Sequence, residues 1–252
     1  MKILKCLIVC LIFWKFSLVC AETKVINFGT TNDYPPFEYV GATGTLQGFD
    51  IDVAKSLCAR MQVTCKFTVL PFDSLIPSLK IGKIDAIIAS LNYSPERAKE
   101  VDFTKFYHKN AAGLVAMKNS SYILALNNIN GKIIGVQTGS VYDIYLKKNY
   151  GSKITIKYYE DIGEIFMDLI NGRIDIVIGD LPAITQLIKS KPQSVGYQIV
   201  VINDLNEKTE ESGSFIAVRK GNAETLSKIN AAIDKTLLDG SLTKIEQKYF
   251  GQ

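Results

Sequence analysis

The chain has 252 residues, enough for one large or two modest domains that each bury a core. Its formal net charge is +4, from 29 Lys and Arg against 25 Asp and Glu, but Lys2, Lys5 and Lys15 all lie in the first 21 residues; without them the count is 29 − 3 = 26 against 25, about +1. No run of basic residues remains to hold nucleic acid or an anionic membrane, so neither is expected as a partner.

The first residues set the compartment. Lys2 and Lys5 precede a wholly apolar run, 6–14, and Val19-Cys20-Ala21 supplies small or modest residues of the kind a signal peptidase reads. Lys15 ends the run before the roughly 18 apolar residues that a membrane span needs. Cleavage after Ala21 is expected, which leaves 252 − 21 = 231 residues exported to the periplasm. Cys20 raises lipidation as an alternative, although Ser17-Leu18-Val19 lacks the small residue wanted before a lipidated cysteine. Cys6, Cys10 and Cys20 leave with the signal, and Cys58 and Cys65 remain. An even pair in an exported protein reads as a disulfide, the alternative being two buried thiols. Zinc is not expected, because two sulfurs and the sole His108, read as a surface residue, make an incomplete tetrahedral site.

In chain order, 24–30 reads as a first strand. The stretch 31–39 follows as an extended loop, stiffened by Pro35 and Pro36, that carries Tyr34, Phe37 and Tyr39. A helix runs from about 50 to 61 with Asp50 as N-cap, a strand covers 65–70, and a helix starts at Phe72 and Asp73 with Leu75, Ile76 and Leu79 at helical spacing. That helix leads into 80–90, which closely resembles 170–180: an apolar periodic run, a Gly-basic-Ile-Asp turn, a short apolar strand, then a polar residue. Open α/β sheets bind ligands just outside the carboxyl ends of their strands, so Ser90 and Asp180 are candidate contacts in a cleft between two similar lobes; coincidental recurrence of a helix-Gly-strand joint is the alternative.

Ser94-Pro95 is a helix start, with Arg97 in its opening turn, either aimed at a carboxylate or solvated on the helix surface. Strands at 112–117 and 214–218 are expected as the crossings between lobes. Between them lie a strand at 132–137, a turn at 138–140, a helix at 141–149, a strand at 153–158, a helix at 162–170 and a strand at 174–178. The Gly-containing turn before residue 141 would turn backbone N–H groups at a helix start toward an anion. Two helices parted by Asp239-Gly240 return to cover the first lobe.

This set of residues resembles the periplasmic amino-acid-binding proteins of ABC importers, solute-binding protein family 3, in the branch of lysine/arginine/ornithine, histidine and arginine receptors. The resemblance spans the mature chain and rests on Tyr34-Pro35-Pro36-Phe37, Gly48-Phe49-Asp50-Ile51-Asp52, Cys58 and Cys65 around Arg60-Met61-Gln62-Val63, Phe72-Asp73-Ser74-Leu75, Pro95-Glu96-Arg97 and Lys248-Tyr249-Phe250. It implies a two-lobed α/β fold of the type II periplasmic-binding-protein kind, each lobe a mixed sheet flanked by helices, with ligand in the cleft. Lobe 1 is expected as 22–111 plus 214–252 and lobe 2 as 119–206, with hinge crossings near 112–118 and 207–218.

The resemblance also implies roles. Arg97 matches the arginine that grips the ligand α-carboxylate with its planar fork, helped by backbone N–H groups near Asn92 and Val141. Asp180 matches the aspartate that takes the α-ammonium, helped by Ser90, and Tyr34 and Phe72 match the aromatic pair that sandwiches the side chain. Departures occur at Thr31, where lysine/arginine/ornithine receptors have an aspartate, and at Ala89, Asn92 and Val141. A missing aspartate disfavours the compact lysine ammonium; a diffuse guanidinium can use stacking and neutral acceptors such as Thr31, Asn92 and Gln137. The expectation is a monomeric receptor, without cofactor or metal, that closes on L-arginine and delivers it to a membrane ABC permease; other basic amino acids and glutamine follow as ligands. The alternatives are a dehydratase of the cyclohexadienyl or arogenate type on the same fold, with Glu38 or Asp180 as general acid or base, and a surface adhesin.

Overall fold

The computed structural model describes residues 24–118, 120, 128–190, 196–202 and 213–251. The expected signal segment, 1–21, lies outside the described residues. Among the described residues no helix is long and apolar enough to cross a membrane.

The chain opens with β1 (Val25–Thr30), then β2 (Asp33–Tyr34), β3 (Glu38–Val40) and β4 (Leu46–Gln47), α1 (Phe49–Met61) and β5 (Thr64–Val69). A 3-10 turn, Phe72–Ser74, runs into α2 (Leu75–Lys80), followed by β6 (Ala86–Ile87), the one-turn α3 (Pro95–Ala98) and β7 (Val101–Lys109). Then come β8 (Ala112–Met117), β9 (Ile133–Gln137), α4 (Val141–Asn149), β10 (Thr155–Tyr159), α5 (Ile162–Ile170), β11 (Ile176–Asp180), α6 (Leu181–Ser190) and β12 (Tyr197–Ile202). The chain ends with β13 (Gly213–Arg219), α7 (Ala223–Leu238) and α8 (Ser241–Phe250).

β2-β3-β4 form a small antiparallel sheet, and ten strands form two five-stranded mixed sheets of matching design, ordered β5-β1-β6-β13-β7 and β10-β9-β11-β8-β12. In each, a parallel trio is extended by two antiparallel strands. The repeated phrase explains the match. Asp85 and Asp175 play the same part: the Asn27 N–H donates to Asp85 Oδ2 at 2.9 Å, and the Ile133 N–H donates to Asp175 Oδ2 at 2.8 Å. Each aspartate thereby ties its strand start to the neighbouring parallel strand. The preceding isoleucines pack on glycines: a Cβ on Gly29 would lie 2.3 Å from Ile84 Cδ1, and one on Gly135 would lie 2.5 Å from Ile174 Cδ1. A side chain at either glycine would have to displace that isoleucine and would crowd Leu75 of α2 or Ile165 of α5.

Two segments expected as lobe crossings are strands within sheets. β8 belongs to the second sheet and β13 to the first. The outward passage is Asn110-Ala111, between the edge strand β7 and β8. The expected return crossing, 207–218, lies partly outside the described residues, and its described part belongs to β13. The stretch 31–39 is a tight hairpin rather than an extended loop, because Tyr34 pairs with Glu38 and Asp33 with Tyr39. β7, β12 and α6 were not anticipated: the polar and charged residues of β7 break its apolar alternation, α6 carries Pro182 in its first turn, and the Ile- and Val-rich run of β12 was a strand signal that went unread.

α1, α7 and α8 cover one face of the first sheet, where Phe49, Leu57, Ile229, Ile233 and Leu242 are buried. Each such side chain contributes about 1.5–3 kcal/mol through apolar area removed from water. Phe49 centres an aromatic cluster, its ring centroid 6.2 Å from Phe37, 4.8 Å from His108 and 5.0 Å from Phe250. His108 is therefore packed rather than exposed at the surface: it stacks on Phe250 at 4.5 Å, and its Nδ1 lies 3.0 Å from Glu246 Oε1.

Cys58, on α1, is bonded to Cys65, on β5, across a Cα separation of 5.9 Å. The bridge spans the αL turn at Gln62 that joins helix to strand. For a loop this short, chain entropy gives about 2.5 kcal/mol of stability. Replacing both cysteines by serine is expected to lower the free energy of chemical unfolding by about that amount; an unchanged denaturation midpoint would contradict it.

Candidate ligand-binding site

The carboxyl ends of the two sheets face each other. Beyond β6 the chain runs through Ile88 and Ala89 to Ser90, whose φ of 45° is uncommon for a residue with a side chain. Ser90 is held there by Asp50, whose Oδ2 accepts the Ser90 N–H at 2.5 Å. Asp50 is not the α1 N-cap that the sequence suggested; Gly48 is, without a side-chain cap. Gly48 has φ 135°, and a Cβ there would sit 2.1 Å from the Phe37 carbonyl oxygen. This close approach lets the Phe49 and Asp50 N–H groups donate to the Pro36 and Phe37 carbonyls. The Asp50 side chain then turns inward and also accepts from the Tyr107 hydroxyl at 2.8 Å.

From the other lobe β11 ends on Asp180, only 2% exposed. Its Oδ1 accepts the Tyr142 hydroxyl at 2.5 Å; its Oδ2 accepts the Tyr34 hydroxyl at 3.0 Å and the Ser90 hydroxyl at 3.2 Å. Tyr142 belongs to the same lobe as Asp180, whereas Tyr34 and Ser90 reach across the cleft. Burial raises the Asp180 carboxyl above its ordinary range, and the bonds from Tyr142, Tyr34 and Ser90 pull the other way.

Arg97 stands on α3, where the Ser94 hydroxyl caps the helix by accepting the Arg97 N–H at 3.2 Å. Its guanidinium donates from Nη1 to the Asn92 carbonyl at 2.6 Å and from Nη2 to the Gly139 carbonyl of the opposite lobe at 2.9 Å. It also lies 5.3 Å from the centre of the Phe72 ring. Burial lowers the guanidinium to about 10, so it stays charged at neutral pH.

The hairpin register brings a further group to the site. Tyr34 and Glu38 are directly paired across β2 and β3, so their side chains share one face, and both reach the cavity. Glu38 is fully buried; its Oε1 accepts the Thr31 hydroxyl at 3.0 Å, and its Oε2 has no hydrogen-bond partner among the described residues. Burial and the neighbouring Asp50 charge hold Glu38 well above the usual carboxylate range. Burial pushes Asp50 up to about 7 against the bonds from Ser90 and Tyr107.

Between these groups lies a cavity of about 20 Å³, room for roughly one water molecule. Tyr34, Phe72, Ala89, Ser90, Asn92, Gln137 and Asp180, all expected at the site, line it. Arg97 adjoins through Asn92 and Gly139. Thr31 lies behind Glu38 and lines an adjoining acidic recess with Asp33, Glu160 and Asp161. The Val141 side chain packs toward the second-lobe core, while its neighbours Ser140 and Tyr142 face the cavity. Sequence reasoning missed Tyr142 as a wall residue and considered Glu38 only for enzyme chemistry. The position of Glu38 four residues after Tyr34, around a Pro-Pro turn, was the available signal.

Residues 26–252 match the family described as bacterial extracellular solute-binding proteins, family 3. The chain is 38% identical to the ABC transporter arginine-binding protein 1 of Escherichia coli over 99% of its own length and 100% of the relative's. It is 36% identical to the L-arginine-binding protein of Pseudomonas aeruginosa, covering 91% of this chain and 89% of that one. A solved ancestral arginine-binding protein bound to arginine superposes with a TM-score of 0.83 at 35% identity, covering 90% of this chain and 98% of that one. With its two-sheet fold and a polar cavity between the sheets, this chain belongs to the family 3 bacterial extracellular solute-binding proteins.

The buried carboxyls make stability depend on pH in an identifiable direction. A carboxyl raised in the folded state keeps a proton that the unfolded chain gives up, so its stabilising contribution is complete below about pH 4 and is lost as pH rises through the folded value, about 7 for Asp50. Glu38→Gln removes one such group. It is expected to raise the melting temperature near pH 7.5 by about 2–4 °C and to change it little near pH 4; an equal shift at both pH values would contradict this origin.

Proposed function

We propose that this chain is an extracytoplasmic receptor that captures L-arginine between its lobes and delivers it to a membrane ABC permease. The observation that carries the reading is a pocket with opposite charges at separate points: the Arg97 guanidinium, the Asp180 carboxylate, and the buried, unpartnered Oε2 of Glu38. A zwitterion with a cationic side chain presents the complementary set. Arg97 takes the α-carboxylate through two parallel charge-assisted bonds, with backbone N–H groups near Asn92 and Val141 beside it. Asp180 and Ser90 take the α-ammonium, and Tyr34 and Phe72 flank the side chain. Glu38, steadied by Thr31, supplies the carboxylate that Thr31 itself lacks, with Gln137 as a neutral acceptor.

Arginine is far larger than a 20 Å³ cavity, so entry requires the lobes to part. We place one hinge at Asn110-Ala111, where the chain leaves the first sheet. Binding begins on lobe 1, which carries Arg97, Ser90, Tyr34 and Glu38; closure then adds Asp180 and the turn before α4. The protein acts in the periplasm as a monomer, after removal of residues 1–21, and binds without turnover. Glu38 and Asp180 would be the acids of any dehydratase chemistry, and product from prephenate or arogenate would reverse the non-enzyme reading.

Titration calorimetry against the twenty amino acids tests the proposal. L-Arginine is expected to bind tightest, and Arg97→Ala to weaken it by about 2–5 kcal/mol, because a buried carboxylate would lose its partner. Equally weak binding of every basic amino acid, or full affinity in the Arg97 variant, would contradict it.

A further inference from the structure

Glu38 and Asp50 form a buried acidic pair whose surroundings offer neutral donors and further acids. The end of β1 contributes the Thr31 hydroxyl, at 3.0 Å from Glu38 Oε1. The β6 end contributes the Ser90 N–H, and β7 the Tyr107 hydroxyl, both to Asp50. The charged neighbours that bear on the pair are acidic: Asp33, on the hairpin, raises Glu38, and Asp180, across the cleft, raises Asp50. Tyr34 and Tyr107 are themselves raised by burial and by nearby carboxylates, so both stay protonated as donors. Two cations and a histidine lie close by without serving the pair. Arg97 directs Nη1 and Nη2 to the Asn92 and Gly139 carbonyls, His108 packs on Phe49 with its Nδ1 at Glu246, and Lys248 lies on Asp52. Two adjacent, fully buried carboxyls cannot both be ionised at modest cost, because each lacks water and repels the other.

We propose that Glu38 and Asp50 share one proton until a cationic side chain enters the pocket beside Glu38, and that the arriving cation displaces that proton to solvent. This rests on the arginine-receptor reading and extends it to how the side chain is selected. The charge balance favours the exchange. A pair holding one proton carries one negative charge, and two carboxylates with one guanidinium also carry one, so the net buried charge is unchanged while Glu38 Oε2 gains a donor. A neutral side chain of the same shape brings no charge to offset the second carboxylate, so the pair keeps its proton. The receptor therefore discriminates cationic from neutral side chains more sharply as pH rises, while its grip on the α-groups, common to all amino acids, cancels in the comparison.

L-Arginine and L-citrulline, its neutral near-isostere, distinguish the two cases. Their dissociation constants would be measured by calorimetry on the intact mature protein near pH 5.5 and near pH 8. One displaced proton predicts that arginine affinity falls by up to about tenfold per pH unit from the higher pH to the lower, while citrulline affinity changes less than about 2-fold from this source. Repeating the arginine titration near pH 6 in buffers of different ionisation enthalpy is expected to read about one proton released per ligand. In Glu38→Gln the arginine-to-citrulline ratio is expected to lose its pH dependence. An arginine-to-citrulline ratio that is the same at both pH values, or one that stays pH-dependent in Glu38→Gln, overturns the proposal while leaving the receptor reading intact. No binding of arginine at either pH overturns the receptor reading and the proposal with it.

Discussion

The cleft is organised around one contact: the hydrogen bond between Ser90 and Asp180, two polar residues at equivalent strand ends of two sheets, 3.2 Å apart across the cleft. Neither residue is placed by itself. Ser90 reaches the cleft because its backbone is left-handed, and it is left-handed because Asp50 holds its N–H. Asp50 is available for this because Gly48, whose φ excludes other residues at little strain, starts α1 against the hairpin carbonyls. Asp180 is aimed by Tyr142 from its own lobe before Tyr34 and Ser90 meet it. A chain of local requirements in the first lobe thus fixes the geometry at which the second lobe closes.

The same construction explains why so many acids can be buried together. Each of Glu38, Asp50 and Asp180 accepts from hydroxyl or N–H donors that cannot be titrated away near neutral pH, and these bonds offset part of the desolvation that burial imposes. The remainder is kept as pKa displacement. That remainder weakens the protein at neutral pH and gives the pocket its readiness for a cation, the usual relation between a binding site and the stability of its scaffold.

Much of this was legible in the sequence, for reasons particular to the residues. The repeated Gly-basic-Ile-Asp phrase carries two roles: its aspartates, Asp85 and Asp175, tie parallel strands, and its isoleucines press on Gly29 and Gly135. A pattern that does structural work twice is visible twice. Ser94-Pro95 announced α3, and the apolar periodicity of 162–170 gave α5 to the residue. What stayed hidden depended on pairing. The hairpin at 31–39 looks like a loop because its strands are two and three residues long, and only their register sets Glu38 beside Tyr34. Asp50 looked like a cap because its true partner, Ser90, lies forty positions away. The segments 112–117 and 214–218 looked like crossings because an apolar strand interior to a sheet and one between domains have the same composition.

The most direct test of the whole arrangement is a crystal structure of the mature protein with L-arginine, grown near pH 8. The expected result has the α-ammonium on Asp180 and Ser90, the α-carboxylate in the fork of Arg97, and the guanidinium within hydrogen-bonding distance of Glu38 Oε2. A ligand bound in the reverse sense, or a guanidinium lying in the Asp33 and Asp161 recess with Glu38 Oε2 still unpartnered, would contradict it.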